Sequence, residues 1–114
     1  MNQAPRERRH HGPGDGWVQC RCGQRHWGLV GAAGLLVVRR SAGGAPTHVL
    51  LQHRASWSDQ GGTWAVPGGA LQPGESAAEG ALREAHEEAG VPSGSVGLRG
   101  RHVLAHPDWS YTTV

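Results

Sequence analysis

One segment constrains the architecture of this chain more than any other: residues 76–89 read as an amphipathic helix with both ends marked. Ser76 precedes Glu79 by three positions, the spacing of a capping box, in which each side chain satisfies a free backbone amide of the other. Gly90 suits the left-handed position that follows a helix, and Pro92 prevents its continuation. At about 100° per residue, Ala78, Ala81, Leu82, Ala85 and Ala89 share one arc, while Glu84, Glu87 and Glu88 occupy the next. One face is built to pack and its neighbour presents three carboxylates.

That second face does not serve helix stability. Like charges four residues apart disfavour a helix by roughly 0.2–0.5 kcal/mol, so pairing Glu84 with Glu88 is a local cost. Clustered carboxylates are the hard-oxygen set that suits Mg²⁺ or Mn²⁺, which bind through a few carboxylates together with substrate phosphates. Ala77 and Gly80, one to two turns earlier, are small enough to let a polyphosphate approach. Arg83 lies four residues before Glu87 and is expected to orient it through charge-assisted hydrogen bonds. The plainer reading is a solvated, salt-bridged helix face.

The charge distribution sharpens the choice. Five of the six Glu fall between positions 75 and 88 with only Arg83 among them, so that stretch carries −4, the rest of the chain +6, and the whole +2. A near-neutral total excludes a strongly basic nucleic-acid wrapper, and nucleic-acid binding through the Arg-rich arm would rest on Arg6, Arg8 and Arg9 alone. The 114 residues suit one domain. Lys, Ile and Phe are absent, a compositional bias that removes glycine richness as a sign of disorder.

Around the helix the text is that of short strands. Strand candidates are 29–30 with 35–38, then 48–54, 63–66, 95–105 and 109–114, with a loop opened by Gly68-Gly69 and closed by Pro73-Gly74. Residues 1–16 hold almost nothing apolar, and residues 1–27 as a whole are expected to be a flexible arm ending in a short Cys/His segment, with the domain proper at 28–114. The uncharged stretch 27–38 is shorter than the ~20 residues of a membrane span. No apolar segment follows the N-terminus as in a secretory signal. Cys20 and Cys22 are too close for a useful structural disulfide, which points to a reducing, cytoplasmic setting.

Gly69, five residues, Glu75, seven residues, then Arg83-Glu84-Ala85-His86-Glu87-Glu88-Ala89-Gly90-Val91 resembles the Nudix box of the Nudix hydrolases at every fixed position, with Ala85 and Val91 in its two apolar slots. The resemblance implies an α/β/α sandwich around a mixed sheet. It implies Mg²⁺-dependent attack of water on a nucleoside diphosphate linked to another group. By position, Glu84, Glu87 and Glu88 would be metal ligands assisted by the backbone carbonyl of Gly68. Glu84 or Glu87 would be the general base, Arg83 would orient Glu87, and Glu75 would fix the loop near the helix N-terminus, where the dipole favours an acid.

The substrate expected is a nucleoside triphosphate, including an oxidised one. The alternatives are an ADP-ribose or dinucleotide pyrophosphatase, hinted at by Pro107, and a non-catalytic module that binds nucleotide or a partner chain. Only twenty-three residues follow Val91, so the C-terminal strands and helix of the sandwich are expected to be missing, leaving a sheet face open for association, for example as a homodimer. Trp57 and Trp109 are candidates for stacking on a nucleobase. Cys20, Cys22 and His26 are soft metal donors, but a structural zinc site takes four ligands. With three local, a turn before the first strand is the expected reading, unless His10 or His11 completes a site.

Overall fold

The computed structural model describes residues 12–54 and 62–114. Its centre is a four-stranded mixed sheet of β3 (Ala32–Gly34), β8 (Gly68–Ala70), β9 (His102–His106) and β10 (Trp109–Thr113), in the order β8-β3-β10-β9. β10 runs parallel to β3, while β8 on β3 and β9 on β10 are antiparallel. Three two-stranded ribbons flank it: β1 (Trp17–Gln19) with β2 (Arg25–Trp27), β4 (Val38–Arg40) with β5 (Pro46–Val49), and β6 (Gln52–His53) with β7 (Trp64–Ala65). Among the described residues, the α-helix α1 (Ala77–Ala89) lies against β3 and β8. This is an α/β fold built on a mixed sheet.

The helix ends are as the residues dictate. Glu79 N–H donates to the Ser76 hydroxyl at 3.1 Å and Ser76 N–H to the Glu79 carboxylate at 2.8 Å. Gly90 takes φ 70°, its amide donates to His86 O at 3.1 Å, and Val91 N–H reaches back to Ala85 O at 3.3 Å. These bonds satisfy groups that a helix end otherwise leaves open.

The packing face sits slightly differently from the expected arc. Gly80, Ala81, Glu84 and Ala85 are buried and Ala89 is exposed. Ala81 and Ala85 meet Ala33 and Leu35, with Val37, Leu71, Ala77, Leu82, Val91 and Val114 around them. Such a core is made of small residues, so helix and sheet approach closely. Gly80 belongs to that packing and not to an open phosphate approach: a Cβ there would run into the Leu71 side chain and lie 3.1 Å from Glu75 Oε1.

Two central strands depart from the expectation. Residues 32–34 are the buried middle strand although the apolar run follows them, and Gly68–Ala70 is a strand where a loop was expected. Burial decided both, because an Ala-Ala-Gly or Gly-Gly-Ala segment has no intrinsic strand preference. The segment 17–27, expected within a flexible arm, is a β-hairpin whose Trp17 and Trp27 rings meet edge to face at 5.0 Å. Its Trp27 carbonyl accepts a bond from Trp109 Nε1 at 3.2 Å, which ties it to β10. Residues 1–11, including His10 and His11, and residues 55–61, including Trp57, lie outside the described residues. No helix among the described residues is long and apolar enough to cross a membrane.

Candidate active site

α1 carries the acidic face, and Arg83 organises it. Its Nε and Nη2 donate to the two oxygens of Glu75 at 2.7 and 2.9 Å, a bidentate pair, while Nη1 donates to Glu84 Oε2 at 2.9 Å and Nη2 also to Ala70 O at 3.1 Å. Glu87 Oε1 is 3.6 Å from Nη1, an ion pair beyond hydrogen-bond range. Arg83 therefore holds Glu75 and Glu84 first and Glu87 only loosely, unlike the expectation from helical spacing. The reason is reach: the turn before α1 returns Glu75 to the guanidinium, and its carboxylate matches the fork in two bonds.

These contacts set the protonation states. The Arg83 hydrogen bonds hold the Glu75 carboxyl below the usual range against the opposing effect of burial, and Gln72 N–H adds a bond at 2.9 Å. Arg83 itself is pushed up, chiefly by Glu75, and stays charged. Glu84 is 1% exposed, a buried charged residue that needs partners. Arg83 is one of them.

Glu88 faces the sheet edge. Its Oε1 accepts from Gln52 Nε2 at 2.8 Å and from Gly68 N–H at 3.2 Å. Gly68 thus meets the acidic face, and the contact seen is through its amide, where the family resemblance implied a role for its carbonyl. The glycine is required for another reason: a Cβ there would lie 2.6 Å from Ala33 O and crowd the Tyr111 hydroxyl, as would one at Gly34. Tyr111 comes from β10, and burial first, then the Glu88 and Glu84 charges, pushes its phenol up while Arg54 opposes them.

Tyr111 and Gln52 escaped the sequence reading. Neither stands at a fixed spacing from the helix, and only the pairing of β10 with β3 and the position of β6 bring them in. The ring of Trp109, expected as a base platform, is stacked on His26 at 4.4 Å and 11°, and its indole N–H donates to the Trp27 carbonyl. Pro107 stands beside Asp108 in the tight β9–β10 turn, where its carbonyl accepts from Arg21 at 3.3 Å. It serves as a turn residue. Trp64 is 64% exposed and stacks on His53 at 4.6 Å.

Three carboxylates on one helix face, a fourth locked by the intervening arginine and a glycine strand against them suit a divalent, oxygen-seeking ion. The chain belongs to the Nudix family, whose NUDIX domain matches residues 28–114. It is 47% identical over 109 residues to the Mycobacterium tuberculosis H37Rv protein named "Putative 8-oxo-dGTP diphosphatase 3", covering 90% of this chain and 50% of that protein. It is 53% identical over 105 residues to a nucleoside triphosphate pyrophosphatase/Nudix hydrolase fusion protein of Bifidobacterium longum, covering 91% of this chain and 22% of the relative. The chain thus spans half or less of the length of these relatives. Among solved structures, a Nudix hydrolase from M. smegmatis, RenU, superposes with a TM-score of 0.77 at 48% identity, over 86% of this chain and 66% of that one.

Proposed function

We propose that this chain carries the catalytic face of a pyrophosphohydrolase that cleaves a phosphoanhydride bond in a nucleoside diphosphate linked to another group, with nucleoside triphosphates, oxidised ones included, as the substrate. The observation that carries the reading is the Arg83 lock: one guanidinium fixes Glu75, holds the buried Glu84 and pairs only loosely with Glu87 on the same face. A solvated salt-bridged helix would not bury its acid. The relatives named for nucleoside triphosphate pyrophosphatase and 8-oxo-dGTP diphosphatase activity support the substrate class.

Glu84, Glu87 and Glu88 would hold Mg²⁺ or Mn²⁺. The ion, when bound, neutralises phosphate charge and makes its water more acidic. The residues divide the remaining work. The Glu87 side chain is 38% exposed against 2% for Glu84, which makes Glu87 the better placed of the two to take a proton from the attacking water. Gln52 and the Gly68 amide fix the Glu88 carboxylate in one orientation. Arg83 keeps Glu84 in place while its own charge is balanced by Glu75.

The test is phosphate and pyrophosphate release from a nucleotide panel with Mg²⁺, including ADP-ribose and dinucleotides. Glu87→Gln and Glu88→Gln are each expected to lower turnover by about 10²-fold or more while leaving circular dichroism unchanged. Undiminished turnover in either variant sinks the assignment. Thermal stabilisation by nucleotides without any turnover in the parent protein supports the non-catalytic module instead.

A further inference from the structure

We propose that Cys20, Cys22 and His26 bind one zinc ion, or another thiolate-seeking divalent ion, at the tip of the β1–β2 hairpin, apart from the acidic helix. Their donor atoms all lie within 4.8 Å of one another, with Cys22 Sγ 3.2 Å from His26 Nε2. Zinc bonds of about 2.3 Å to sulfur and about 2.0–2.1 Å to nitrogen, at tetrahedral angles, place such donors about 3.6–3.8 Å apart. The cluster is therefore near its liganding geometry, and small side-chain rotations complete it. Two thiolates and a neutral imidazole carry the charge that neutralises a divalent ion.

The hairpin holds these donors in place. Cys20 N–H donates to Gln24 O and Gly23 N–H to Cys20 O, each at 3.0 Å, so the chain turns tightly between the cysteines. Gly23 takes φ 97°, a left-handed value that a side chain would resist. Arg21, between the two cysteines, is anchored to Asp108: its amide and Nε reach that carboxylate at 2.8 and 3.0 Å, and Nη2 lies 2.9 Å from it. That anchor ties the backbone between the two cysteines to the β9–β10 turn. The His26 ring stacks on Trp109 at 4.4 Å and lies beside the tilted His106 ring at 4.5 Å, with Nε2 3.2 Å from Cys22 Sγ. Support of a ligand ring by its surroundings is what tunes and orients a metal ligand.

Sequence spacing argued against zinc because a structural site takes four protein ligands. Three converging donors with one of them exposed match the other zinc class, in which the fourth position belongs to water or an exchangeable ligand. The site therefore exchanges metal with solvent, and its occupancy follows the available zinc.

The experiment is a cobalt titration of the whole chain under a phosphine reductant, with excess Mg²⁺ present to occupy oxygen sites. The expected result is thiolate-to-cobalt charge-transfer absorption with intense visible bands, saturating at one ion per chain and abolished by zinc. Cys22→Ser and His26→Gln each weaken binding by about tenfold or more. Cys20 is buried, so Cys22 and His26 are the positions to vary, with circular dichroism as the control for folding. Glu87→Gln leaves the titration unchanged. The proposal is overturned if the parent protein shows no charge-transfer band at equimolar cobalt, or if the band persists undiminished in the folded Cys22→Ser/His26→Gln double variant.

Discussion

Replacing Glu75 by Gln tests the reasoning about the acidic helix most directly, because it removes a charge and keeps the shape. The carboxylate makes two bonds to Arg83, at 2.7 and 2.9 Å, with side-chain exposures of 15% for Glu75 and 30% for Arg83. Breaking a fully buried pair costs about 3–5 kcal/mol, and a hydrogen bond to a charged group contributes about 1.5–3 kcal/mol. Partial access of water to Arg83 and its remaining bonds to Glu84 and Ala70 lower the loss, so about 2 kcal/mol is expected at neutral pH. In a domain of this size that corresponds to a fall in Tm of roughly 8–16 °C.

The pH dependence follows from the direction of the Glu75 shift. Its folded-state pKa lies below the ordinary 4.5, so its contribution is full above that value and is lost as the pH falls through the folded-state value. Thermal unfolding of both proteins, followed by circular dichroism from pH 7 downward, should show a gap that is widest at neutral pH and narrows in acid. Equal Tm values at pH 7, or a gap that stays constant down to acid unfolding, would refute the account of Arg83 as the organiser of this face.

The remaining predictions concern caps and close approaches. Ser76→Ala removes the hydroxyl that caps α1 and should destabilise by about 1 kcal/mol in urea unfolding, and Gly90→Ala, at φ 70°, by about the same. Gly34→Ala and Gly68→Ala should each cost about 1–3 kcal/mol through overpacking. Tyr111→Phe should relieve much of the Gly34→Ala defect, since the hydroxyl is the nearest atom there, yet leave a penalty for Gly68→Ala, where Ala33 O remains 2.6 Å away. A double-mutant cycle that finds no difference between the two pairs would remove the tyrosine from its assigned position.

The helix was legible because its signals are local. Ser76, Glu79, Gly90 and Pro92 act within a turn of the positions they mark, and the arc of Glu84, Glu87 and Glu88 follows from helical rotation alone. The sheet was less so. β3 and β8 are made of alanine and glycine because Ala81, Ala85 and the Tyr111 hydroxyl press on them, and that requirement exists only once the layers have met. The hairpin of residues 17–27 was missed for a related reason: its tryptophans gain their value from each other and from β10.

The division between the two sources is physical. What the chain determined by itself was the acidic face, its caps and its family, all functions of spacing along one helix and the short segment that leads into it. Tertiary structure decided which acid Arg83 holds, because the turn before α1 places Glu75 eight residues back within two hydrogen bonds of the guanidinium. It also drew Gln52 and Tyr111 to the carboxylates and turned Trp109 toward His26. Charged and aromatic groups choose partners by distance and geometry, and those distances come from strand pairing between residues far apart in the chain.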